Sequence, residues 1–326
     1  MDLKKNVSLS PLTTFKIGGA CDYFCEIKSK KDLLECFSWF KKEGIRFFCL
    51  GGGSNILVND KGFAGAVIKI AQGKSKWIDH SSIVSAGKTL ANLINEAKER
   101  NLAGLEWAFG IPATFGGAIK NNAGAFGFNI SENIEWVDVF DSQKLNFERI
   151  AAKDCLFSYR NSVFQQRKDW IIWEAKVNWK EKNKKDIAKE IEYYLEKRRG
   201  KQPLSQPSAG SFFKNVSLLN ISSGKVNDLV EKFVREEIKK GTKREEIEEK
   251  IRKNGSLPAA FFIEKAGLKG RKIGGAQVSP KHANFIINVD NAKAEDVIIL
   301  ASIIKQKVRN IFGVQLQEEV EYVGFE

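Results

Sequence analysis

Apolar residues recur along the chain at two spacings, one typical of helices and the other of strands. The segment from about 29 to 43 has Leu33, Leu34, Phe37 and Phe40 on one helical face. The stretches on either side, 23–27 and 47–58, are apolar and strand-like. Together they predict a small β-α-β unit that ends at about residue 68.

The same patterns predict further elements along the chain. Strands are predicted at 82–86, 136–140, 170–177 and 315–323, and helices at about 89–100, 184–199, 226–254 and 294–312. In the helical segment 226–254, Gly241 is expected to separate two helices, and Thr242 with Glu245 to form a capping box for the second. The prolines in 201–207 predict an extended linker, because the residue before a proline disfavours helical geometry.

A glycine-rich loop, Gly51-Gly52-Gly53-Ser54-Asn55, lies between two apolar runs. Successive backbone N–H groups in such a loop can surround an anion, so the segment predicts a cradle for a pyrophosphate group. It has neither the lysine of a Walker loop nor the glycine spacing of a Rossmann fingerprint. A hairpin turn without a ligand is the alternative.

A second stretch, residues 110–127, contains five glycines and four alanines. So few side chains above the backbone favour the close approach of a flat, bulky ligand. The alternative, a flexible linker, would be richer in serine and poorer in Ile, Phe and Pro.

Composition narrows the class of protein. The chain has 326 residues, 43% of them hydrophobic, and a net charge of +13. It shows no apolar run near the roughly 18 residues that span a bilayer and no apolar N-terminal signal. Its five cysteines follow no zinc-type spacing, so reduced thiols in the cytoplasm are expected. The positive charge would suit nucleic acid, an acidic membrane surface or polyanionic small ligands, but no nucleic-acid-binding module is present.

Eight segments, in this order, resemble the UDP-N-acetylenolpyruvoylglucosamine reductases, the MurB family: 14–19, 51–55, 110–127, 159–162, 209–215, 267–270, 278–288 and 319–320. The resemblance covers nearly the whole chain. It implies an α+β fold with a two-lobed FAD-binding domain of the vanillyl-alcohol-oxidase (PCMH) type and a C-terminal α+β substrate-binding domain. The expected limits are 1–68 and 69–200 for the lobes and 201–326 for the substrate domain.

The activity implied by the resemblance is that of an NADPH-dependent FAD flavoenzyme. It would reduce UDP-N-acetyl-3-O-(1-carboxyvinyl)glucosamine to UDP-N-acetylmuramate in the cytoplasmic synthesis of peptidoglycan precursors. FAD would be bound, and NADPH and the UDP-sugar would be the partners. A monomer is expected, without a metal, nucleic acid or a membrane span.

The resemblance also implies roles for individual residues. Arg160 would stabilise negative charge on the substrate carboxylate, Ser211 would donate a proton, and Glu319 would act as general acid or base. Nucleotide contacts are expected from Lys201, Lys214 and Asn215, with Lys269 as a further candidate. The FAD-binding residues would be Gly51, Gly52, Gly53, Ser54, Asn55, Gly110, Ile111, Pro112, Ala113, Thr114, Gly117, Asn122, Ala123 and Gly124.

Alternatives stay open for several of these residues. Arg160 could form a surface salt bridge, Ser211 could cap a turn, and alignment favours Glu319 over Glu318 as the carboxylate without excluding Glu318. His282 could be a base but is expected to be a packed residue. At the level of function, the rivals are another flavoenzyme of this fold and a basic nucleotide- or nucleic-acid-binding protein without catalysis.

The chain departs from the pattern of the family, or of some of its members, at several places. Ala113 and Phe115 stand where glycine and valine are more common, and residues 120–122 are more polar than usual. The tyrosine-bearing loop of some members is expected to be absent between Arg160 and Lys201. The helical segment at about 219–256 looks inserted, and its apolar stripe is expected to pack on the outer face of the substrate domain.

Overall fold

The computed structural model describes residues 2–71 and 73–325, so the predicted outer limits at residues 1 and 326 lie outside the described residues. The helices are α1 (Lys30–Glu43), α2 (Leu90–Lys98), α3 (Phe115–Lys120), α4 (Val163–Gln166), α5 (Lys184–Lys201), α6 (Ser223–Lys239), α7 (Arg244–Asn254), α8 (Ala259–Lys265) and α9 (Ala294–Phe312). Among the described residues, no helix has the length and apolar character needed to cross a membrane.

The strands occur singly or in consecutive runs before, between and after these helices. They are β1 (Asp2–Ser8), β2 (Ala20–Ile27), β3 (Phe47–Cys49), β4 (Ile56–Val58), β5 (Phe63–Ile70), β6 (Ser75–Ile78), β7 (Ser81–Ser85), β8 (Leu102–Ala103), β9 (Gly124–Ala125), β10 (Phe128–Asn129), β11 (Ile134–Asp141), β12 (Asn146–Ala151), β13 (Trp170–Asn178), β14 (Lys180–Glu181), β15 (Ser208–Ser211), β16 (Val216–Ser217), β17 (Ser256–Leu257), β18 (Lys272–Ile273), β19 (Ala276–Val278), β20 (Phe285–Asn288) and β21 (Glu321–Val323). The content is mixed, as an α+β fold requires.

The N-terminal sheet has the order β1-β2-β5-β3 and contains the predicted β-α-β unit. Helix α1 connects β2 to β3, and both strands run parallel to β5. Its start is fixed by Ser29, whose hydroxyl accepts from the N–H of Asp32 while the Asp32 carboxylate accepts from the N–H of Ser29. This capping box satisfies backbone donors that a helix start otherwise leaves free.

The second sheet is antiparallel, with the order β12-β11-β13-β7-β6. One cluster of buried side chains joins it to the N-terminal sheet. For example, the ring of Phe37 on α1 lies 5.3 Å from that of Phe140 on β11. The two sheets therefore share a hydrophobic core and hold the segments between them in fixed positions.

The C-terminal region has its own core, in which the sheet β15-β20-β19-β18 packs with α8 and α9. Helix α9 has the predicted bounds, and Gly313 ends it in left-handed geometry. The predicted strand 315–323 is wrong over most of its length, because only Glu321–Val323 pairs with another strand. Val314, Leu316 and Val320 are buried, so the apolar pattern is real, but before Glu321 the segment pairs only through an isolated bridge between Glu318 and Phe213.

The inserted helices leave and re-enter the domain at one point. Strands β16 and β17 pair antiparallel, with Ser217 opposite Ser256, and α6 and α7 lie between them in sequence. Their buried residues, Leu229, Val234, Ile247 and Ile251, belong to the C-terminal core, which confirms the packing expected for the apolar stripe.

The start of α7 differs from the prediction. Gly241 does separate the helices, with φ at +89°. The capping box of Thr242 and Glu245 is wrong, because the cap position is Lys243 and no side chain caps it. The backbone N–H of Thr242 instead donates to Glu237 of α6, which places Thr242 in the turn that closes the preceding helix.

Candidate active site

A cavity of about 1250 Å³ lies between the N-terminal sheets and the C-terminal region. Most of its walls come from residues 46–56, 110–126, 159–172, 202–215 and 319–324, and residues 11–16, Arg198 and residues 284–285 also line it. Two of these walls are the predicted glycine-rich segments. The volume is larger than that of a typical pocket for one small ligand, so the cavity has room for an extended cofactor with a substrate.

The loop 51–55 lines this cavity, and its glycines are also required by neighbouring backbone. A Cβ at Gly52 would lie 2.5 Å from the carbonyl oxygen of Pro112. At Gly53, where φ is +64°, it would lie 2.2 Å from the carbonyl oxygen of Leu12. The loop therefore needs glycine to fit between two other segments, a requirement that the sequence interpretation attributed to a ligand alone.

Asn55 connects this loop to the C-terminal segment. Its side-chain amide donates a 3.0 Å hydrogen bond to the backbone carbonyl of Glu319, and its own carbonyl accepts from the N–H of Glu321. Strand β21 then runs parallel to β4, directly after the loop. The C-terminal segment is thus fixed onto the glycine loop, which brings Glu319 to the cavity.

The second glycine-rich segment forms the opposite wall and contains the short helix α3. The Thr114 hydroxyl caps α3 by accepting from the N–H of Gly117. The predicted residues of this segment line the cavity, with the exception of Asn122: Gly110, Ile111, Pro112, Ala113, Thr114, Gly117, Ala123 and Gly124. Asn122 is buried behind this wall, where its side chain donates to the carbonyl of Ser158 and accepts from the N–H of Ser131.

Arg160 and Glu319 meet in the cavity. The Nε atom of Arg160 lies 2.7 Å from Oε1 of Glu319, and the two side chains are only 21% and 16% exposed. Arg160 has a left-handed φ of +50°, and its Nη2 also donates to the carbonyl of Gly124 at 2.6 Å. Burial raises the pKa of Glu319, and the cations of Arg160 and Lys214 only partly oppose this shift. The pair is therefore a guanidinium beside a carboxyl that is easier to protonate than an ordinary glutamate.

Ser211 lies in the same cavity, at the end of β15. Its register partner is Phe285 on β20. The backbone carbonyl of the next residue, Phe212, accepts a hydrogen bond from the N–H of Glu319. The side chain of Asn284 holds Phe213 at two points, because it accepts from the backbone N–H of Phe213 and donates to its backbone carbonyl. Backbone pairing thus brings the segments that carry Ser211 and Glu319 together.

The cavity also contains residues that sequence reasoning missed. The hydroxyl of Tyr159 accepts from the N–H of Asn215 at 3.2 Å, and both residues line the cavity. Lys120 lies 2.7 Å from Glu321. Both positions carried a weak signal, since Tyr159 precedes Arg160 and Lys120 is one of the departures from the family pattern.

Three of the expected nucleotide contacts lie away from the cavity lining. Lys201 is exposed at the end of α5, and Lys269 pairs with Glu264. Lys214 is close enough to Glu319 to influence its pKa but does not line the cavity. Asn215 is the expected nucleotide-binding residue that does so.

Glu318 and His282 both lie outside the cavity lining. The Glu318 carboxylate accepts from Lys305 of α9 at 2.6 Å and lies outside the cavity lining, whereas Glu319 faces the cavity. His282 is packed edge-on against Phe285, accepts at Nδ1 from the N–H of Asn284, and has a pKa lowered to about 4 by burial. In the described part of the chain, no group of three or more His, Cys, Asp or Glu side chains is placed to hold a metal ion.

Comparison with known proteins gives matches over both parts of the chain. A family model described as the C-terminal domain of UDP-N-acetylenolpyruvoylglucosamine reductase matches residues 202–323, and an FAD binding domain matches residues 21–143. These matches confirm the predicted fold class, in which an FAD-binding domain precedes a C-terminal α+β domain.

Individual relatives align with this chain along almost their full length. Proteins named UDP-N-acetylenolpyruvoylglucosamine reductase from Caldicellulosiruptor bescii and Caldanaerobacter subterraneus subsp. tengcongensis are 37% and 36% identical to this chain. The alignments cover 99% and 96% of this chain and 91% and 90% of the relatives. The crystal structure of UDP-N-acetylenolpyruvylglucosamine reductase (MurB) from Thermus caldophilus superposes with a TM-score of 0.74 at 28% identity, covering 99% of each chain.

Proposed function

The chain belongs to the UDP-N-acetylenolpyruvoylglucosamine reductase family and is an oxidoreductase of peptidoglycan synthesis, and we propose that it works with bound FAD and with NADPH as co-substrate. The substrate would be UDP-N-acetyl-3-O-(1-carboxyvinyl)glucosamine and the product UDP-N-acetylmuramate. NADPH and the UDP-sugar are both nucleotides of the cytoplasm, where we expect the reaction to occur.

The fit of FAD rests on the two glycine-rich walls. The loop 51–55 lines the cavity, and successive backbone N–H groups in such a loop suit a diphosphate. Ala123 and Gly124 have small side chains or none, so the cavity surface near Arg160 can lie close to a flat ring. Bound FAD would supply the hydride added at C3 of the enolpyruvyl group, after taking it from NADPH.

Arg160 would hold the substrate carboxylate and stabilise the negative charge that develops on it when C3 gains the hydride. A guanidinium binds a carboxylate through two parallel N–H donors. In this chain Nε and Nη2 are engaged by Glu319 and Gly124, so the orientation of the fork is fixed before substrate binds. Such preorganisation is typically the largest contribution to stabilising a charged transition state.

Ser211 would deliver the proton that completes the reduction at C2. Addition of one hydride and one proton converts the C=C bond into a single bond and leaves the carboxylate intact. Glu319 would support the proton supply as general acid or base, because its raised pKa makes the protonated form more accessible. Asn215, held beside Tyr159, would contact the nucleotide of the substrate, with Lys214 close by.

We also propose the domain limits 1–68, 69–200 and 201–326, with the helical insert at about 219–256. Support comes from a core built mainly from residues 209–320, which Phe15, Ile17 and Leu57 of the first lobe join, and from the pairing of β16 with β17 at the base of the insert. The two N-terminal lobes share one core, which favours their movement as a unit.

The observation that carries the proposal is that Arg160, Ser211 and Glu319 line one cavity with both glycine-rich segments. The experiment is anaerobic visible spectroscopy of the purified protein. We expect a flavin absorption peak that NADPH bleaches and that the enolpyruvyl UDP-sugar restores. A colourless protein that cannot take up FAD would refute the cofactor, and a bleached flavin that the UDP-sugar leaves unchanged would refute the substrate.

A further inference from the structure

A second ion pair joins the two parts of the cavity wall that carry Arg160 and Glu319. Nζ of Lys120, the last residue of α3, lies 2.7 Å from Oε2 of Glu321. The two side chains are 28% and 35% exposed, and both residues line the cavity. The proposed reaction uses Arg160 and Glu319 but assigns no step to this second pair.

The backbone of Lys120 is tied to the segment that carries Arg160. Its carbonyl accepts from the hydroxyl of Ser162 at 2.6 Å and from Nε2 of Gln165 at 3.3 Å. The same Nε2 atom donates to the carbonyl of Arg160 at 3.1 Å. The end of α3 is therefore held against the segment that positions the Arg160 guanidinium.

Glu321 belongs to the segment that carries Glu319. Its backbone N–H donates to the carbonyl of Asn55, whose side chain donates to the carbonyl of Glu319. Strand β21 begins only at Glu321, and the chain bends at Val320. Regular strand pairing therefore stops short of Glu319, and the ion pair lies at the first residue of the strand.

We propose that Lys120 is a positioning residue for the reaction, because its ion pair with Glu321 holds Glu319 in place opposite Arg160. This inference rests on the proposed function. Lys120 contacts both segments that must meet, one through its backbone carbonyl and the other through its ammonium group. It therefore constrains the geometry between them, and small displacements at a reacting centre can have large effects on rate.

The surroundings of the ammonium group suit this role. An exposed ion pair is screened by water and salt, whereas a mostly buried pair is screened much less. Nζ of Lys120 also lies 5.7 Å from the centre of the Phe48 ring, within the range of a cation–π contact. Phe48 is on β3, directly before the glycine loop, so the position of the ammonium is limited from a third side.

The first test measures the two half-reactions by stopped flow in Lys120→Met and Glu321→Gln. We expect reoxidation by saturating UDP-sugar to slow about tenfold in each variant, with the KM for the UDP-sugar within about twofold of wild type. Reduction by NADPH should stay at the wild-type rate, because Glu319 acts on the substrate. The reversed pair, Lys120→Glu with Glu321→Lys, restores the attraction and should recover most of the lost rate. Lys120→Arg keeps the cation and replaces the reversed pair if that one fails to fold.

Lys176→Met is the matched control. Lys176 on β13 lies 2.9 Å from Glu135 on β11, and the two side chains are 27% and 42% exposed. This pair is similar to that of Lys120 in distance and burial but lies outside the cavity lining. Both half-reactions should be unchanged in the control. Equal slowing of Lys176→Met and Lys120→Met would indicate a general effect on the fold and would overturn the proposal.

A second readout needs neither substrate nor flavin. The Glu319 carboxyl is titrated by NMR, and Glu319→Gln identifies its signal. Arg160 partly offsets the rise in pKa that burial causes at Glu319, so moving Glu319 away from Arg160 should raise this pKa further. Lys120→Met and Glu321→Gln should therefore both raise it. A purely electrostatic influence would give opposite shifts, because one variant removes a cation and the other an anion.

An unchanged pKa of Glu319 in both variants, or shifts of opposite sign, would overturn the proposal. So would a raised KM without loss of rate in Lys120→Met, because that would make Lys120 a substrate contact. If the UDP-sugar failed to reoxidise the wild-type flavin, the proposed function would be refuted, and the titration would still decide whether Lys120 positions Glu319.

Discussion

The side-chain amide of Asn55 holds the backbone carbonyl of Glu319 at 3.0 Å across 264 positions of sequence. Asn55 belongs to the predicted cofactor loop and Glu319 to the predicted substrate site. One hydrogen bond therefore links the element expected to bind FAD to the carboxylate expected to act on the substrate. A change in this loop should therefore affect reoxidation of the flavin by the UDP-sugar as well as cofactor binding.

Replacement of Asn55 by alanine tests this link. A hydrogen bond of this kind contributes about 0.5–1.5 kcal/mol, so we expect reoxidation of the flavin by the UDP-sugar to slow about two- to tenfold. Ser54→Ala in the same loop is the control, since no described hydrogen bond joins Ser54 to the C-terminal segment. Loss of FAD with normal reoxidation of the remaining holoenzyme would show instead that Asn55 acts only on the cofactor.

Arg160→Lys keeps the positive charge but removes the planar guanidinium, so it separates the contribution of the geometry from that of the charge. Lysine cannot make the two parallel hydrogen bonds to a carboxylate, so we expect reoxidation by the UDP-sugar to fall by about 10²–10³-fold. Reduction by NADPH should change little. Stopped-flow measurement of each half-reaction checks both expectations.

The control for Arg160 is Arg149→Lys. Arg149 makes a two-point pair with Asp138 at 2.7 and 2.8 Å, but it is exposed and lies away from the cavity lining. This variant should leave both half-reactions unchanged. Equal effects of the two substitutions would contradict a specific role for Arg160.

The pH dependence of stability should report the environment of Glu319. Its pKa is raised in the native state by burial. The native state then binds more protons than the unfolded chain, so this group's contribution is complete below the unfolded pKa of about 4.3 and is lost as pH rises through the native value. Glu319→Gln has no carboxyl to titrate at this position, so it should not lose this stability as the pH rises. We therefore expect the melting temperature of the variant, relative to that of the wild type, to increase with pH.

The difference in melting temperature between Glu319→Gln and wild type should grow as the pH rises. Parallel melting curves for wild type and Glu319→Gln would mean that burial does not control this carboxyl.

The insert should be removable without loss of chemistry. Because Ser217 and Ser256 are register partners, residues 218–255 can be replaced by an Asn-Gly turn that continues the β16–β17 hairpin. We expect both half-reactions to stay within about twofold, since distant sites act independently. Stability should fall, because Phe261 loses its contact with Phe233, whose rings are 5.3 Å apart.

Leu229→Ala separates stability from activity in this experiment. It retains the insert but removes a buried side chain, at a cost of about 2–5 kcal/mol in the free energy of unfolding. If the deletion variant is folded but inactive while Leu229→Ala is active, the insert contributes to catalysis and the prediction is wrong.

Local sequence predicted the elements whose start and end depend on nearby residues. Helix α1 follows from Ser29 and Asp32, and α9 from its apolar stripe and Gly313. The prediction of the final strand was wrong because strand pairing depends on residues that are distant in the sequence. An alternating apolar pattern shows burial, but a strand also needs a partner at hydrogen-bonding distance, and that partner is supplied by the fold.

The site was predictable only in part, for the same physical reason. The resemblance identified Arg160, Ser211 and Glu319, which the structure places in one cavity. It did not identify Arg198, which lines the cavity and donates to the carbonyl of Trp107, 91 positions away. It also assigned Asn122 to the cofactor, although burial behind the wall engages that side chain with backbone.

The most direct test of the account is a stopped-flow comparison of the two half-reactions in Ser211→Ala. Ser211 is assigned the proton to C2, so we expect flavin reduction by NADPH at the wild-type rate and reoxidation by the UDP-sugar slower by about 10²–10⁴-fold. Ser217→Ala, outside the cavity lining, should match the wild type in both. Impaired reduction by NADPH, or normal reoxidation by the UDP-sugar, would contradict the central claim that these residues act on the substrate over a flavin held by the glycine-rich walls.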